Sequence, residues 1–334
     1  MTLHLHGLGH AHPETEIDNR FLESLAIGTD DAWIVERTGI RARRTVLPLD
    51  YLRATRNRDV RAAREAQELD AAELGRRAAR LALDRAGIAP GDLGWVVAGS
   101  SAPESPCPAL AAGVAAALGV EVPVFDLNSA CTSFLAQLFW LSALRPEAAP
   151  RFVLLVLPEL MTPVVDYSDR TTAVLWGDGA AAAVLSLREP GVARVEAAVL
   201  ESAPSGAGRV LVPRAGHFAQ DGRQVQAFAI RKTLDGWLRV REHLGAGRPL
   251  HLVGHQANLR VLEAVCERAG VPAERHHSNV EWYGNTGAAS APSVLSQHWE
   301  KWTAEDDVAV VGVGAGLTWG SAAVRFARAP GGAA

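Results

Sequence analysis

Apolar positions recur along this chain in two rhythms, and their order predicts strands alternating with helices. From Ala71 to Ala86, Leu74, Ala78, Leu81 and Leu83 supply one apolar helical face and Gly87 ends the run. Trp95 to Ala98 is a short unbroken apolar run, as expected of a buried strand, and helical patterning resumes from Pro108 to Leu118. Val122 to Leu127 predicts a second strand that runs directly into a helix beginning near Cys131 and ending near Arg145. Strands at Phe152 to Leu157 and Ala180 to Leu185 complete this half.

The second half repeats the plan. It predicts a helix over Ala227 to Leu244, a strand over Leu250 to Val253, a helix over Asn258 to Ala269 and a turn at Gly284. A helix over Thr286 to Trp299 and strands at Val308 to Val313 and Ser321 to Phe326 follow. Strands alternating with helices indicate an α/β architecture. The spacing from Gly99 to Gly254 matches that from Cys131 to Asn285 to within one residue, which points to an internal duplication with halves 1–186 and 187–334.

With 334 residues and 48% hydrophobic content, the chain can bury a large core as one unit or as two fused halves. A formal charge of -4 gives no overall basic footprint, which argues against nucleic acid as a partner. Met1 to Glu14 lacks a cationic segment followed by an apolar core, and no apolar run is long enough to span a membrane, so a cytoplasmic location is expected. Cys107, Cys131 and Cys266 are widely spaced, with no CxxC pair, which suggests neither a disulfide framework nor a zinc site. No phosphate-cradling glycine motif occurs, so dinucleotide oxidation and nucleotide hydrolysis lack their usual backbone sites.

Three segments carry candidate chemistry: Asn128-Ser-Ala-Cys131-Thr-Ser-Phe134, Gly254-His255-Gln-Ala-Asn258 and Tyr283-Gly-Asn285-Thr-Gly-Ala288. A strand feeding a tight turn into a helix puts the Cys131 thiol at a helix mouth, where the dipole and free N–H groups favour thiolate. The alternating His4, His6, His10 and His12 could bind metal from one strand face, but no carboxylate or cysteine joins them, and they read as an N-terminal strand and its turn. His276 and His277 read as a surface loop, Cys266 as part of an apolar helical face, and Gly177-Asp178-Gly179 as a structural turn. Leu47 to Gln67 is rich in arginine and reads either as a solvated loop and helix or as a contact for phosphates or an acidic protein surface.

In order and context the three segments resemble the β-ketoacyl-acyl-carrier-protein synthase III family, and the resemblance extends from about His4 to Phe326. It implies a five-layered αβαβα thiolase fold with two pseudo-repeats, assembled as a homodimer. It also implies a ketosynthase: Cys131 takes an acyl group from a thioester, then a malonyl-type thioester decarboxylates and condenses with it, giving a β-ketoacyl thioester. By carry-over, His255 and Asn285 donate to the malonyl thioester oxygen, and the backbone N–H groups of Cys131 and Ala315 form an oxyanion hole. Ala315 stands where a glycine is usual, which fits only if the position needs no positive φ.

The resemblance further assigns Trp33, Arg37 and Arg170 to the adenine of coenzyme A and Arg260 to docking of an acyl carrier protein. A lysine expected near Ala227 is absent. Cys107 stands where the family often has an aromatic residue that reaches the partner's acyl pocket, which implies a donor longer than acetyl and a secondary-metabolism or long-chain variant. No cofactor beyond the acyl thioester substrates is implied. The alternatives are chain-joining of two β-ketoacyl thioesters in polyketide synthesis, acyl transfer to oxygen or nitrogen, a thioesterase, or a silent partner subunit.

Overall fold

Ten runs rich in Val, Ala and Leu form strands that hydrogen-bond edge to edge in one sheet, in a computed structural model that describes residues 2–330. The first five are β1 (Leu3–Ala11), β2 (Leu93–Ala98), β3 (Val124–Asp126), β4 (Phe152–Glu159) and β5 (Gly179–Ser186). The second five are β6 (Ala193–Ser202), β7 (Leu250–Gly254), β8 (His276–His277), β9 (Asp307–Gly314) and β10 (Thr318–Phe326). The order across the sheet is β8-β7-β9-β10-β6-β1-β5-β4-β2-β3. Each half therefore has its own strands in the order third, second, fourth, fifth, first, and the halves join where Leu3–Leu5 pairs antiparallel with Ala193–Val195. In both halves the strands next to the outer edge are parallel and the inner ones antiparallel.

Helices supply the remaining layers. The principal ones are α1 (Asp31–Thr38), α2 (Leu49–Thr55), α3 (Val60–Ala66), α4 (Ala71–Ala86), α5 (Leu110–Leu118), α6 (Ser133–Ser142), α7 (Gly222–Leu244), α8 (Leu259–Ala269) and α9 (Ser290–Gln297). Helices α4 and α5 cover the first half of the sheet, and α7 with α8 cover the second. Helices α6 and α9 lie between the halves: α6 touches β4, β6 and β10, and α9 touches β1, β5, β7 and β9. This is the five-layered thiolase arrangement. Its largest apolar cluster surrounds the central helices, with Phe134, Leu138, Val294, Leu295, Leu155 and Val310 all buried.

Sequence patterning located the core strands and missed the elements whose apolar rhythm is diluted. Strand β6 was not anticipated because Arg194, Glu196 and Glu201 interrupt it. The Arg-rich stretch folds into two short helices, α2 and α3, linked at Arg56 and Asn57, both with positive φ. The expected helix from Cys131 to Arg145 spans only Ser133–Ser142, and the one from Thr286 to Trp299 divides into two short 3-10 turns around α9. His276 and His277 form the edge strand β8 rather than a loop, with His277 packed on His251, His298 and Trp302; two residues are too few to show a period.

Close packing of α4 on β1 depends on glycine. A Cβ at Gly9 would run into the carbonyl oxygen of Ala78, and one at Gly7 into that of Ala82. Gly9→Ala should therefore cost about 1–3 kcal/mol or more in urea unfolding, whereas Gly91→Ala, at a site with open space around it, should stay within about 0.5 kcal/mol of wild type.

Candidate active site

Strand β3 ends in a turn that is fixed by its own polar groups. Asn128 Oδ1 accepts from Ala130 N at 2.8 Å, Ser133 Oγ accepts from Ser129 N at 2.8 Å, and Ala130 is forced to φ +48°. A non-glycine residue in this region carries strain that the surrounding bonds must hold. Cys131 follows, just ahead of the α6 cap at Thr132, and borders a cavity of about 110 Å³ with Ser101, Met161, Trp176, Phe218 and Ala315. Gly314 at the end of β9 presses on this turn: a Cβ there would stand 3.3 Å from Cys131 N and 3.2 Å from Thr132 N. Ala315 is not among the non-glycine residues with positive φ, so its alanine side chain meets no backbone conflict.

The thiol does not behave as helix position alone suggests. Burial, followed by the nearby Glu159 carboxylate, pushes Cys131 up to about 12, while the Ser101 hydroxyl and the residue's own N–H act in the opposite direction. The expected preference for thiolate is thus reversed at rest: the dipole is outweighed by desolvation and a buried negative charge.

Strand β7 delivers His255, whose backbone N–H donates to Val311 O at 2.8 Å. Its Nδ1 lies 2.6 Å from Ser290 Oγ, at the start of α9. Ser290 Oγ also accepts from Gln256 N at 3.2 Å, and no other acceptor for its proton is found among the described residues. The buried hydroxyl must then donate to Nδ1, which leaves His255 neutral with its proton on Nε2. Burial agrees, lowering the imidazole to about 4.

Asn285 is held by backbone on both sides, with its N–H donating to Leu175 O at 2.8 Å and its carbonyl accepting from Gly177 N at 3.1 Å. Gly177 has no room for a side chain against the Tyr283 carbonyl, and Gly284 takes φ +63°. Asn285 Oδ1 accepts from Gly287 N at 2.9 Å, so the amide group Nδ2 is the end left to donate.

Glu159, the last residue of β4, ties these pieces together. Its Oε1 accepts from Ser100 Oγ at 2.9 Å, Ser101 N at 2.8 Å and Ala102 N at 3.3 Å; its Oε2 accepts from Ser101 Oγ at 2.9 Å and Ala288 N at 2.8 Å. Burial raises its pKa, and these donors oppose that shift. Sequence reading missed Glu159 and Ser290. An acid ending an apolar strand was the available signal for the first; the second is hidden in a run of small residues.

The residues assigned to the coenzyme form one surface cluster. The guanidinium carbon of Arg37 lies 4.6 Å from the Trp33 ring centre and that of Arg170 lies 5.0 Å from it, distances suited to cation–π contact. Arg260 is already engaged: Nε donates to Glu36 O at 3.1 Å, Nη2 to Val35 O at 2.8 Å, and Nη1 to Glu263 at 2.8 Å, fastening α8 to α1. Cys107 is exposed and does not border the Cys131 cavity of its own chain. Asp178 is buried as the acceptor for Val46 N, Thr162 N and Thr162 Oγ1, a structural knot in the Gly177-Asp178-Gly179 turn. In β1, His10 bonds Ser296 and His12 stacks on Tyr283 at 3.9 Å; among the described residues no cluster suited to a metal ion is found. No described helix is long and apolar enough to cross a membrane.

Comparison with known proteins agrees with this geometry. Residues 125–204 match the family model for 3-oxoacyl-[acyl-carrier-protein] synthase III, and residues 248–326 match the model for its C-terminal part. A β-ketoacyl-[acyl-carrier-protein] synthase III of Oceanobacillus iheyensis is 32% identical over 334 residues, covering 98% of this chain and all of the relative. The crystal structure of 3-oxoacyl-[acyl-carrier-protein] synthase III from Aquifex aeolicus superposes with a TM-score of 0.86 at 28% identity, over 97% of this chain and 100% of that one. The priming β-ketosynthase of the R1128 polyketide pathway does so with a TM-score of 0.83 at 28% identity, over 98% of this chain and 97% of that one.

The thiol's environment has a direct readout. Alkylation of Cys131 by iodoacetamide, located by peptide mapping, should keep climbing as pH rises through its ordinary value of 9.0, because thiolate is the reacting form. A plateau reached below that pH would contradict the stated environment.

Proposed function

This chain belongs to the 3-oxoacyl-[acyl-carrier-protein] synthase III family, and we propose that it is a ketosynthase that loads a non-acetyl acyl group on Cys131 and condenses it with a malonyl-type thioester. It is an enzyme of the acyltransferase class, with the Claisen chemistry of that family. The observation that carries the residue assignment is the pairing of His255 and Asn285. Each has its other side-chain polar atom engaged inside the protein, to Ser290 and Gly287, so each keeps one N–H donor preset. Two preset donors suit the enolate oxygen left when a malonyl thioester loses carbon dioxide; transfer to oxygen or nitrogen has no such charge to hold.

In the first step Cys131 Sγ attacks the thioester carbonyl and the thiol of the donor leaves. The thiol proton moves to Ser101 Oγ, whose own proton goes to Glu159 Oε2, 2.9 Å away, and it returns along the same path to the departing thiolate of the donor. The N–H groups of Cys131 and Ala315 receive the oxyanion at the cavity they share. In the second step the malonyl carboxylate departs as carbon dioxide, the enolate oxygen rests on His255 Nε2 and Asn285 Nδ2, and the carbanion attacks the acyl-cysteine carbonyl, breaking its bond to sulfur and releasing Cys131 as a thiolate that takes up a proton from solvent. Trp33, Arg37 and Arg170 bind the adenine end of coenzyme A, and Arg260 lies within reach of a docked acyl carrier protein.

We read the chain as two fused halves, 1–186 and 187–334, supported by their identical strand order. A homodimer is supported by the open edge of β3, beside which Trp95, Phe125 and Trp140 pack together and Phe139 is 42% exposed. The exposure of Cys107 suits a residue offered to the partner's pocket, and a small side chain there leaves room for a longer acyl chain. A place in polyketide rather than housekeeping synthesis is part of this reading, and one of the similar structures is a priming ketosynthase of a polyketide pathway.

Intact-protein mass and product analysis test this reading. Cys131→Ala should abolish acyl-enzyme formation, while His255→Ala and Asn285→Ala should still acylate Cys131 yet lose condensation by roughly a hundredfold or more. Near wild-type condensation in both variants would remove the malonyl-site assignment. Loading of hexanoyl and decanoyl groups should exceed that of acetyl, each buried methylene contributing about 0.8 kcal/mol, and Cys107→Phe should shift preference toward short chains. An acetyl preference unaltered by Cys107→Phe would count against the long donor.

A further inference from the structure

A cavity away from the nucleophile is lined by arginine. It holds about 560 Å³ and is walled by Arg58 just ahead of α3, by Arg61 and Arg64 within it, and by Arg214 from the 213–217 loop. The two walls are fastened together, His217 Nε2 lying 2.6 Å from Asn57 O and Phe218 N donating to Val164 O at 2.8 Å. Some arginines elsewhere have carboxylate partners, as Arg76 has Glu73, Arg85 has Glu300 and Arg325 has Asp307. The side chains of Arg58, Arg61 and Arg214 have no acceptor among the described residues, and Arg64 bonds only the carbonyls of Glu104 and Pro103. The one carboxylate in the wall, Asp59, is occupied in capping α3 through Arg61 N at 2.8 Å and Ala62 N at 3.3 Å. The cavity is therefore cationic, with planar donors unassigned to any protein anion.

It also adjoins the reacting centre through shared wall residues. A middle cavity of about 290 Å³ shares Arg64 and Arg214 with the arginine-lined one. It shares Ser101 and Val212 with the cavity of about 110 Å³ at Cys131. From Cys131 outward the walls present Met161, Trp176 and Val212, which suit methylene groups, then Glu104, whose carboxylate accepts from Gln67 Nε2, and the guanidinium groups of Arg64 and Arg214, which suit a carboxylate held by two parallel bonds.

Building on the reading of Cys131 as acyl acceptor, we propose that the acyl donor bears a carboxylate at the far end of its chain, held by Arg61, Arg64 and Arg214. The substrate class is a thioester of an α,ω-dicarboxylic acid, with an apolar middle and an anionic terminus. The guanidinium groups bind the terminus and leave the thioester carbonyl at Cys131.

Loading of Cys131 from suberyl, monomethyl-suberyl and octanoyl coenzyme A, followed by intact mass, tests this. Wild type should load suberyl roughly tenfold faster than its methyl ester, the scale of a charge-assisted hydrogen bond. The double variant Arg61→Met, Arg214→Met should lose that advantage while loading octanoyl at the wild-type rate, and Arg214→Lys should keep part of it. A wild type that loads the methyl ester or octanoyl as fast as suberyl overturns the proposal, as does an advantage that survives the double variant. Equal slowing of all three donors in the double variant would assign the arginines to the coenzyme's phosphates and also overturn it. Failure of wild type to load any of the three would instead overturn Cys131 as acyl acceptor, and the anionic-donor proposal with it.

Discussion

A single buried carboxylate organises this site. Glu159 sits at the end of β4 and accepts hydrogen bonds from Ser100, Ser101, Ala102 and Ala288, drawn from the exit of β2 and from the turn before α9. Burying a charge without a counter-ion is costly, and the arrangement persists because each oxygen receives several donors. Gly287 exists to let it in: any Cβ there would overlap the Glu159 side chain. The same turn supplies Gly287 N to Asn285, so the carboxylate sets where that amide points. Its charge also reaches Cys131, where it adds to the effect of burial in favouring the thiol, while the Ser101 hydroxyl it binds acts the other way.

The doubling of the fold explains why these groups meet. Cys131 follows the third strand of the first half and Asn285 follows the third strand of the second; His255 follows the second strand there, as Ser100 does in the first half. Parallel strands send their ends the same way, and the central helices α6 and α9 begin where those ends converge. Cys131, His255 and Asn285 are thus each held by backbone geometry. Only His255 and Asn285 then need a side-chain or backbone partner, Ser290 and Gly287, to choose which atom donates.

Much of this was legible in the chain itself. The core strands β2, β4, β5 and β9 are unbroken apolar runs, and the three motifs are contiguous, so local pattern sufficed. Strand β6 and helices α1 to α3 were obscured because charges interrupt their apolar rhythm, and tertiary packing decides their structure. The protonation state of Cys131 was misjudged for a different reason. Position at a helix mouth is visible in sequence, but Glu159 lies 28 positions further along and approaches the thiol only after β4 is laid beside β2. The nearness of the arginine-lined cavity to Cys131 is likewise a product of the 213–217 loop lying against the start of α3.

The most direct test of the account is the pH dependence of Cys131 alkylation in Glu159→Gln, compared with wild type and accompanied by circular dichroism to verify the fold. With the buried charge removed, the profile should move to lower pH by about one unit or more, the scale of a neighbouring like charge. A profile that superimposes on that of wild type in a folded variant would contradict the claim that this carboxylate helps to hold the Cys131 thiol protonated.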